Sequence, residues 1–249
     1  MIKKDKKADQ NTRNAAENRF QAVKSWGLFD KNGTEIYDII KPGKVSIIDL
    51  SAYTHVSGSS NIKGLVISIL SNKLLSDRIK SRKIEELSDI EKSGSLFLED
   101  QEKKQMPLVW FFIDECHEFL PRDKKTPATD ALVRLLREGR QPGISLVLAT
   151  QQPGEIHRDV ITQTDIVLSH RITAKRDIDA LNAMSQSYLT SDIQRYMNDL
   201  PSLKGSAIIL DDNSERIYPV RIRPRMSWHG GETPSAVQIR KKELINLGL

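Results

Sequence analysis

Disulfide bonds and long apolar runs are both missing from this sequence. Cys116 is the only cysteine among 249 residues, so no internal disulfide bond can form. Proteins in oxidising compartments often depend on such bonds, and the sequence therefore predicts a cytoplasmic protein. The apolar runs are much shorter than the roughly 20 residues that cross a membrane as a helix. No apolar signal core follows the basic N-terminal residues, so we expect neither a membrane span nor a secretory signal.

Acidic residues are slightly fewer than basic ones. The sequence has 38 lysines and arginines against 33 aspartates and glutamates, which gives a formal net charge of +5 and a pI near 9.2. This balance favours an acidic partner such as nucleic acid, although many basic proteins bind none. The length allows one α/β domain with a small subdomain.

One apolar run ends in two adjacent carboxylates. Residues 108–113 read Leu-Val-Trp-Phe-Phe-Ile and are followed by Asp114 and Glu115. Such a run is typical of a buried strand in a parallel sheet, and open α/β sheets bind ligands at the carboxyl ends of their strands. This is the Walker B arrangement, in which the first carboxylate helps hold Mg²⁺ and the second orients or deprotonates the attacking water. The alternative is an ordinary acidic turn after a strand.

A second predicted strand, residues 144–149, is followed by Thr150 and Gln151. A glutamine can orient water or sense a γ-phosphate because its amide has one acceptor oxygen and two donor hydrogens. If the two strands are neighbours, Thr150 and Gln151 converge with Asp114 and Glu115 at one edge of the sheet. Without that neighbour, Gln151 would be an ordinary turn residue.

The phosphate-binding partner of a Walker B strand is absent. No G-x-x-x-x-G-K-[ST] motif occurs in the 249 residues. Residues 41–44 read Lys-Pro-Gly-Lys and begin a Gly-Lys-x-Ser pattern, but they lead into a predicted strand, whereas a phosphate loop follows a strand and opens a helix. We therefore interpret this segment as a turn. The sequence carries half of a nucleotide site, and we expect this chain alone to be inactive.

Two arginines lie near the end of a predicted helix that begins at Thr129 as its N-cap. Cations at this position favour the helix dipole, which is the simple explanation for Arg137 and Arg140. The alternative is an arginine finger that reaches the nucleotide of a neighbouring subunit and stabilises developing phosphoryl charge. Arg140 follows Gly139 in the loop and is better placed for this role than Arg137. A finger acting in trans implies a ring.

The order of predicted elements divides the chain into three parts. Residues 1–44 form a basic helical arm and a turn, residues 45–231 form the main domain, and residues 232–249 form a tail. Strands that alternate with helices predict a mainly parallel sheet covered by helices. The remaining predicted elements are a strand at 44–50, an amphipathic helix at 62–79, a strand at 165–170, short helices at 159–163, 177–183 and 191–200, and a hairpin of 206–210 with 217–222.

Arg221, Arg223 and Arg225 alternate with other residues along the last predicted strand and would share one face of it. They could bind a phosphate backbone or form a solvated edge, and the sequence favours neither. No DNA-binding residue is assigned from these patterns.

Several motifs occur in the order and spacing of one superfamily. They are Ile-Asp-Glu-Cys-His-Glu-Phe at 113–119, Leu-Arg-Glu-Gly-Arg at 136–140, Gly-Ile-Ser-Leu-Val-Leu-Ala-Thr-Gln-Gln-Pro at 143–153, and Ser-His-Arg at 169–171. Together they resemble the HerA/FtsK superfamily of ATP-driven DNA translocases, and the HerA branch in particular. The resemblance covers roughly residues 45–231 and implies a partial RecA-like P-loop NTPase core of the α/β class.

The resemblance also implies roles for single residues. Asp114 would bind the cofactor and support Mg²⁺ through water, and Glu115 would be the catalytic carboxylate. Gln151 would be the polar sensor, beside Thr150 in the nucleotide site. Arg140 would be the arginine finger that acts in trans, and Arg171 would be a further candidate for that role.

The implied cofactors are ATP and Mg²⁺, and the implied assembly is a homo-hexameric ring around double-stranded DNA. HerA proteins work with the nuclease NurA in the processing of DNA ends, so a NurA-type partner is expected. The missing N-terminal barrel and phosphate loop are the departure from the family pattern, and they leave the phosphate-binding residues unassigned.

Other functions remain open at this point. A conjugation or virus-packaging ATPase belongs to the same superfamily. The Asp-Glu-Cys-His run at 114–117 also fits the D-E-x-H box of superfamily 2 helicases, but those proteins show Ser-Ala-Thr after the next strand, where this chain has Ala-Thr-Gln-Gln-Pro. Without a phosphate loop, the chain could also be an inactive ring subunit or an interaction module.

Overall fold

The computed structural model describes residues 9–54, 58–94, 106–184 and 193–227. The helices are α1 (Gln10–Ser25), α2 (Ile36–Ile39), α3 (Ser59–Gly94), α4 (Thr129–Glu138), α5 (Arg158–Gln163), α6 (Lys175–Met184) and α7 (Ile193–Asp199). The strands are β1 (Val109–Ile113), β2 (Ile144–Leu148), β3 (Ile166–His170), β4 (Ser206–Asp211) and β5 (Arg216–Arg221). The predicted tail, 232–249, lies outside the described residues. None of the described helices is long and apolar enough to cross a membrane.

A parallel pair of strands forms the centre of the nucleotide-site region. β1 pairs with β2 from Val109 opposite Ile144 to Ile113 opposite Leu148. Side chains alternate across a strand, and Phe111 and Leu146 point to the face that packs against α3 and α4. The pairing brings the carboxyl ends of both strands to one edge. The mixed α/β class is thereby confirmed.

The longest helix, α3, covers the sheet and reaches the loop that leads into β2. The predicted amphipathic helix at 62–79 lies within α3, which extends from Ser59 to Gly94 and has 36 residues. Leu74 and Leu75 are buried against Leu135 of α4 and Ile144 of β2. Burying such apolar side chains contributes roughly 1.5–3 kcal/mol each, which explains why α3 is fixed along this stretch.

A second sheet follows in the chain. β4 pairs antiparallel with β3 and with β5, and the β4–β5 hairpin is the one that the sequence predicted. Its inner face packs on α6 and α7 through Leu181, Met197 and Ile208. Among the described strands, parallel pairing is therefore confined to β1 and β2.

The predicted strand at 44–50 is wrong. These residues form no strand, and Val45 and Ile47 remain 91% and 88% exposed. A strand needs a pairing partner for its backbone groups, and no described strand lies beside this segment. The turn interpretation of residues 41–44 is confirmed, because Gly43 has a φ of 66° and the Lys44 N–H donates to the Lys41 carbonyl.

Two smaller predictions also need correction. Thr129 is the first residue of α4 rather than its N-cap, which is Ala128; the buried Thr129 hydroxyl donates to the Phe119 carbonyl instead. Of the three alternating arginines, only Arg221 lies in β5, because the ladder with β4 ends there. Residues 221–227 are all exposed.

Candidate functional site

The two carboxylates lie in a tight turn directly after β1. Glu115 has a φ of 47°, a left-handed conformation that costs a residue with a Cβ atom roughly 1–2 kcal/mol. The Asp114 carboxylate accepts a hydrogen bond from the Glu115 N–H at 2.9 Å. The Cys116 N–H donates to the Ala149 carbonyl at 2.9 Å, so β2 holds the turn in place. This strain is concentrated at the residue that the motif assigns to water activation.

Glu115 and Gln151 are joined across the ends of the two strands. The Gln151 amide nitrogen donates to Oε1 of Glu115 at 2.5 Å, although 36 residues separate them in the sequence. A hydrogen bond to an ionised acceptor is shorter and stronger than a neutral one. The amide therefore fixes one oxygen of the carboxylate and leaves the other to be used elsewhere.

That other oxygen, Oε2 of Glu115, is shielded from solvent and has no hydrogen-bond partner among the described residues. It lies 3.4 Å from Nδ1 of His117, which in turn lies 3.0 Å from the Thr150 hydroxyl. The same hydroxyl accepts from the Gln152 N–H at 3.0 Å. A buried acceptor without a partner is rare, and a bound water would satisfy it. This geometry fits a carboxylate that accepts a proton from a water molecule.

Asp114 is exposed, so its carboxylate could reach a cation in solvent. The described residues contain no group of three or more histidine, cysteine or acidic side chains that could hold a metal by themselves. Mg²⁺ is usually held by one or two carboxylates together with waters and substrate phosphates. One exposed carboxylate therefore suits a magnesium–nucleotide complex, and does not suit a metal site made of protein ligands alone.

The structure separates the two arginines at the end of α4. Arg137 forms an ion pair with Asp159 of α5 at 2.9 Å. The Arg140 side chain is exposed and has no hydrogen bond or ion pair with any described residue; its carbonyl accepts from the Gly143 N–H at 3.1 Å. Arg140 precedes β2 in the chain, whereas Gln151 follows β2. Because a strand rises about 3.3 Å per residue, Arg140 lies roughly 17 Å from the carboxylates of its own chain.

Arg171 has no hydrogen bond or ion pair with the carboxylate cluster. It follows β3 in the second sheet, and its guanidinium lies 3.5 Å from the Ser202 hydroxyl. The structure thus brings together Asp114, Glu115, Thr150 and Gln151, and no hydrogen bond or ion pair joins Arg140 or Arg171 to them.

Sequence reasoning missed Arg78, which is only 1% exposed. Its guanidinium donates to the Pro142 carbonyl at 2.6 Å, to Glu85 at 2.9 Å, and to the Met106 carbonyl. The signal was present, because Arg78 follows Leu74 and Leu75 by four and three residues and therefore falls on the apolar stripe of α3. A charge on such a stripe indicates a buried pair.

Cys116 and His117 take roles that the motif alone did not define. Burial, together with the charges of Glu115 and Asp114, raises the pKa of the Cys116 thiol to about 11. Cys116 is thus a core residue packed beside Leu120 and Leu132. The His117 ring lies against Glu115 and Thr150.

Comparison with known families places all of these residues in one matched region. The model of the family described as Zonular occludens toxin (Zot) matches residues 56–178, just under half of the chain. Among solved structures, the genome packaging NTPase B204 from Sulfolobus turreted icosahedral virus 2, in complex with AMPPCP, gives a TM-score of 0.49 at 18% identity. That match covers 79% of this chain and 75% of the other, and it is too distant to carry a functional argument.

Similarity to named helicases is more extensive. The chain is 27% identical over 177 residues to the DNA double-strand break repair helicase HerA of Pyrococcus furiosus, covering 69% of this chain and 31% of that protein. It is 28% identical over 203 residues to the probable HerA of Methanocaldococcus jannaschii, covering 77% and 38%. The chain therefore spans about a third of the length of these relatives. Together with the family match, these similarities confirm the resemblance that the motifs predicted: the chain is similar to HerA-like ATPases.

Proposed function

We propose that this chain provides the catalytic carboxylate half of a HerA-type ATPase that moves along double-stranded DNA. The observation that carries the proposal is the 2.5 Å hydrogen bond between Gln151 and Glu115 at the shared edge of two parallel strands. It leaves the other carboxylate oxygen, which is shielded from solvent, without a hydrogen-bond partner among the described residues and next to the exposed Asp114. The similarity to HerA helicases supports DNA as the substrate.

In this proposal each side chain has one task. Asp114 supports Mg²⁺, which when bound to ATP neutralises phosphate charge. Glu115 accepts the proton of the attacking water at Oε2, and Gln151 holds Oε1 so that the carboxylate keeps this orientation. Thr150 holds the His117 ring against the same carboxylate and lines the nucleotide site. The phosphate loop is contributed by a segment that does not occur in residues 1–249.

The assembly follows from where Arg140 lies. Since it lies roughly 17 Å from the carboxylates of its own chain, it can serve a nucleotide only on a neighbouring copy. We propose a homo-hexameric ring in the cytoplasm, with Arg140 as the trans finger and Arg171 as a further cation at the subunit boundary. A NurA-type nuclease is the proposed partner in the processing of DNA ends.

The test replaces Glu115 in the assembly that contains the phosphate loop, encoded before Met1 or by another gene. Glu115→Gln removes the proton acceptor but keeps the shape, so ATP turnover should fall by about 10²- to 10⁴-fold while ATP binding is retained. Steady-state hydrolysis and nucleotide binding are measured with and without duplex DNA. The matched control is Glu118→Gln, because Glu118 is exposed, three residues away and paired only with Lys63 at 3.6 Å. It should change turnover less than about twofold. Wild-type turnover by Glu115→Gln would sink the assignment.

A second candidate is a catalytically inactive ring subunit that only serves its neighbour. The missing phosphate loop favours this alternative. In mixed rings such a subunit would need Arg140 but not Glu115. This second candidate would be selected if Arg140→Ala abolished the activity of the mixed rings while Glu115→Gln left that activity unchanged.

A further inference from the structure

A solvent-open cleft lies beside Arg140, on the side of the domain away from the carboxylates. It has a volume of about 690 Å³ and is bordered by α3 and by the end of α4 with the loop that follows it, residues 139–143. Its size lies within the range of about 300–1,000 Å³ typical of ligand sites. Cations dominate the lining: Arg82, Lys83, Arg137 and Arg140.

The charges around the cleft leave two cations uncompensated. Arg82 is paired with Glu86, and Arg137 is paired with Asp159. The remaining lining carboxylate, Glu138, is paired with Arg134, which points away from the cleft lining. The side chains of Lys83 and Arg140 are exposed and have no hydrogen bond or ion pair with any described residue. The cleft therefore attracts an anion with at least two negative charges.

The two walls of the cleft are locked together from behind. Arg78, one turn before Arg82 on α3, binds the carbonyl of Pro142 at 2.6 Å and holds the loop that carries Arg140. Glu85 ties Arg78 to Arg82 at 2.9 Å and 3.4 Å. Fixed walls reduce the entropy lost when a ligand binds. The backbone segments that carry Lys83 and Arg140 are thus held relative to each other before any anion arrives.

The ligand comes from outside this chain, because the chain's own carboxylate cluster is at the opposite end of β2. We propose that the cleft binds the triphosphate of a nucleotide held by a neighbouring copy, with Lys83 as a second cation beside Arg140. This inference rests on the proposed function, since it identifies what Arg140 touches. Arg140 offers a planar fork to the phosphate oxygens, and Lys83 adds a point charge on the facing wall.

The test uses the full chain and inorganic tripolyphosphate as the probe. Isothermal titration at low ionic strength should show binding that weakens about tenfold in Lys83→Ala and in Arg140→Ala. Both side chains are exposed, so the fold is retained. The control is Lys80→Ala, because Lys80 is on the same helix but outside this cleft and is paired with Asp77 at 3.2 Å. It should change the affinity less than twofold.

Three results would overturn the inference. The first is equal affinity of tripolyphosphate for all four proteins, and the second is no binding to any of them. The third is a short DNA duplex that loses more affinity than tripolyphosphate on Lys83→Ala, which would assign the cleft to the DNA backbone. The proposed function is tested separately, because full hydrolysis by rings of Arg140→Ala would remove its trans role without changing the tripolyphosphate titration.

Discussion

Arg78 is the residue whose replacement should reveal most about how this fold holds its site. Arg78→Met keeps the length and apolar stem of the side chain but removes the guanidinium. It leaves the Pro142 and Met106 carbonyls without their donor and leaves Glu85 with Arg82 alone. Removing one partner of a buried pair costs about 3–5 kcal/mol. Since Arg82 remains, and since Nη2 of Arg78 already lacks a partner, we expect the lower end, about 3 kcal/mol.

Urea unfolding followed by circular dichroism measures this change. With a slope of about 3 kcal/mol per molar urea for a domain of this size, the midpoint should fall by about 1 M while the slope stays constant. The control is Arg82→Met, which removes an arginine from the same helix whose side chain is 43% exposed. Exposed pairs contribute about 0–1 kcal/mol, so its midpoint should move by less than about 0.3 M.

Equal midpoints for wild type and Arg78→Met would refute the reasoning. They would mean that the hydrogen bonds and ion pair of the guanidinium stabilise the fold only as much as its removal from water destabilises it. An equally large fall of the midpoint in Arg82→Met would also refute the reasoning. The loss of stability would then follow from the charge of the helix rather than from the buried bonds of Arg78 to the loop.

Two further predictions concern titration. Burial raises the pKa of Glu85, but its bonds to Arg78 and Arg82 outweigh that effect and hold the pKa below its ordinary value of 4.5. The stabilisation that Glu85 contributes is therefore complete above pH 4.5 and is lost as the pH falls through the lower folded-state pKa. The difference in urea midpoint between wild type and Arg78→Met should therefore shrink below about pH 4. A difference that grows on acidification would contradict this. The Cys116 thiol, with a pKa of about 11, should react with a thiol reagent at pH 8 at least roughly 100-fold more slowly in the folded chain than in guanidinium. Equal rates would show that the thiol is accessible.

The local sequence patterns predicted the elements that carry the candidate site. The apolar run before Asp114 and the run before Thr150 each form a strand, because β-branched, aromatic and aliphatic side chains suit a pleated surface packed on helices. The same reasoning failed at residues 44–50, whose composition is equally suited to a strand. A strand exists only when its backbone groups find a partner, and a single segment of sequence does not contain that partner.

Long-range contacts determined everything else about the site. On sequence alone Gln151 and Glu115 are candidates, but only the parallel register of β1 and β2 brings their side chains within hydrogen-bonding distance. The sequence also favoured Arg140 over Arg137 as the finger, because Arg140 lies in the loop. The structure adds the ion pair of Arg137 with Asp159, which leaves Arg140 as the one of the two whose side chain has no partner among the described residues.

Sequence alone thus determined the α/β class, the two strands that end in polar residues and the resemblance to HerA-like ATPases, because these depend on residues adjacent in the chain. Tertiary structure decided that Arg78 is a buried clamp, that Lys83 faces Arg140 across a cleft, and that Arg140 lies at the opposite end of β2 from the carboxylates. The physical reason is that burial, register and charge pairing are properties of segments distant in sequence, which no local pattern contains.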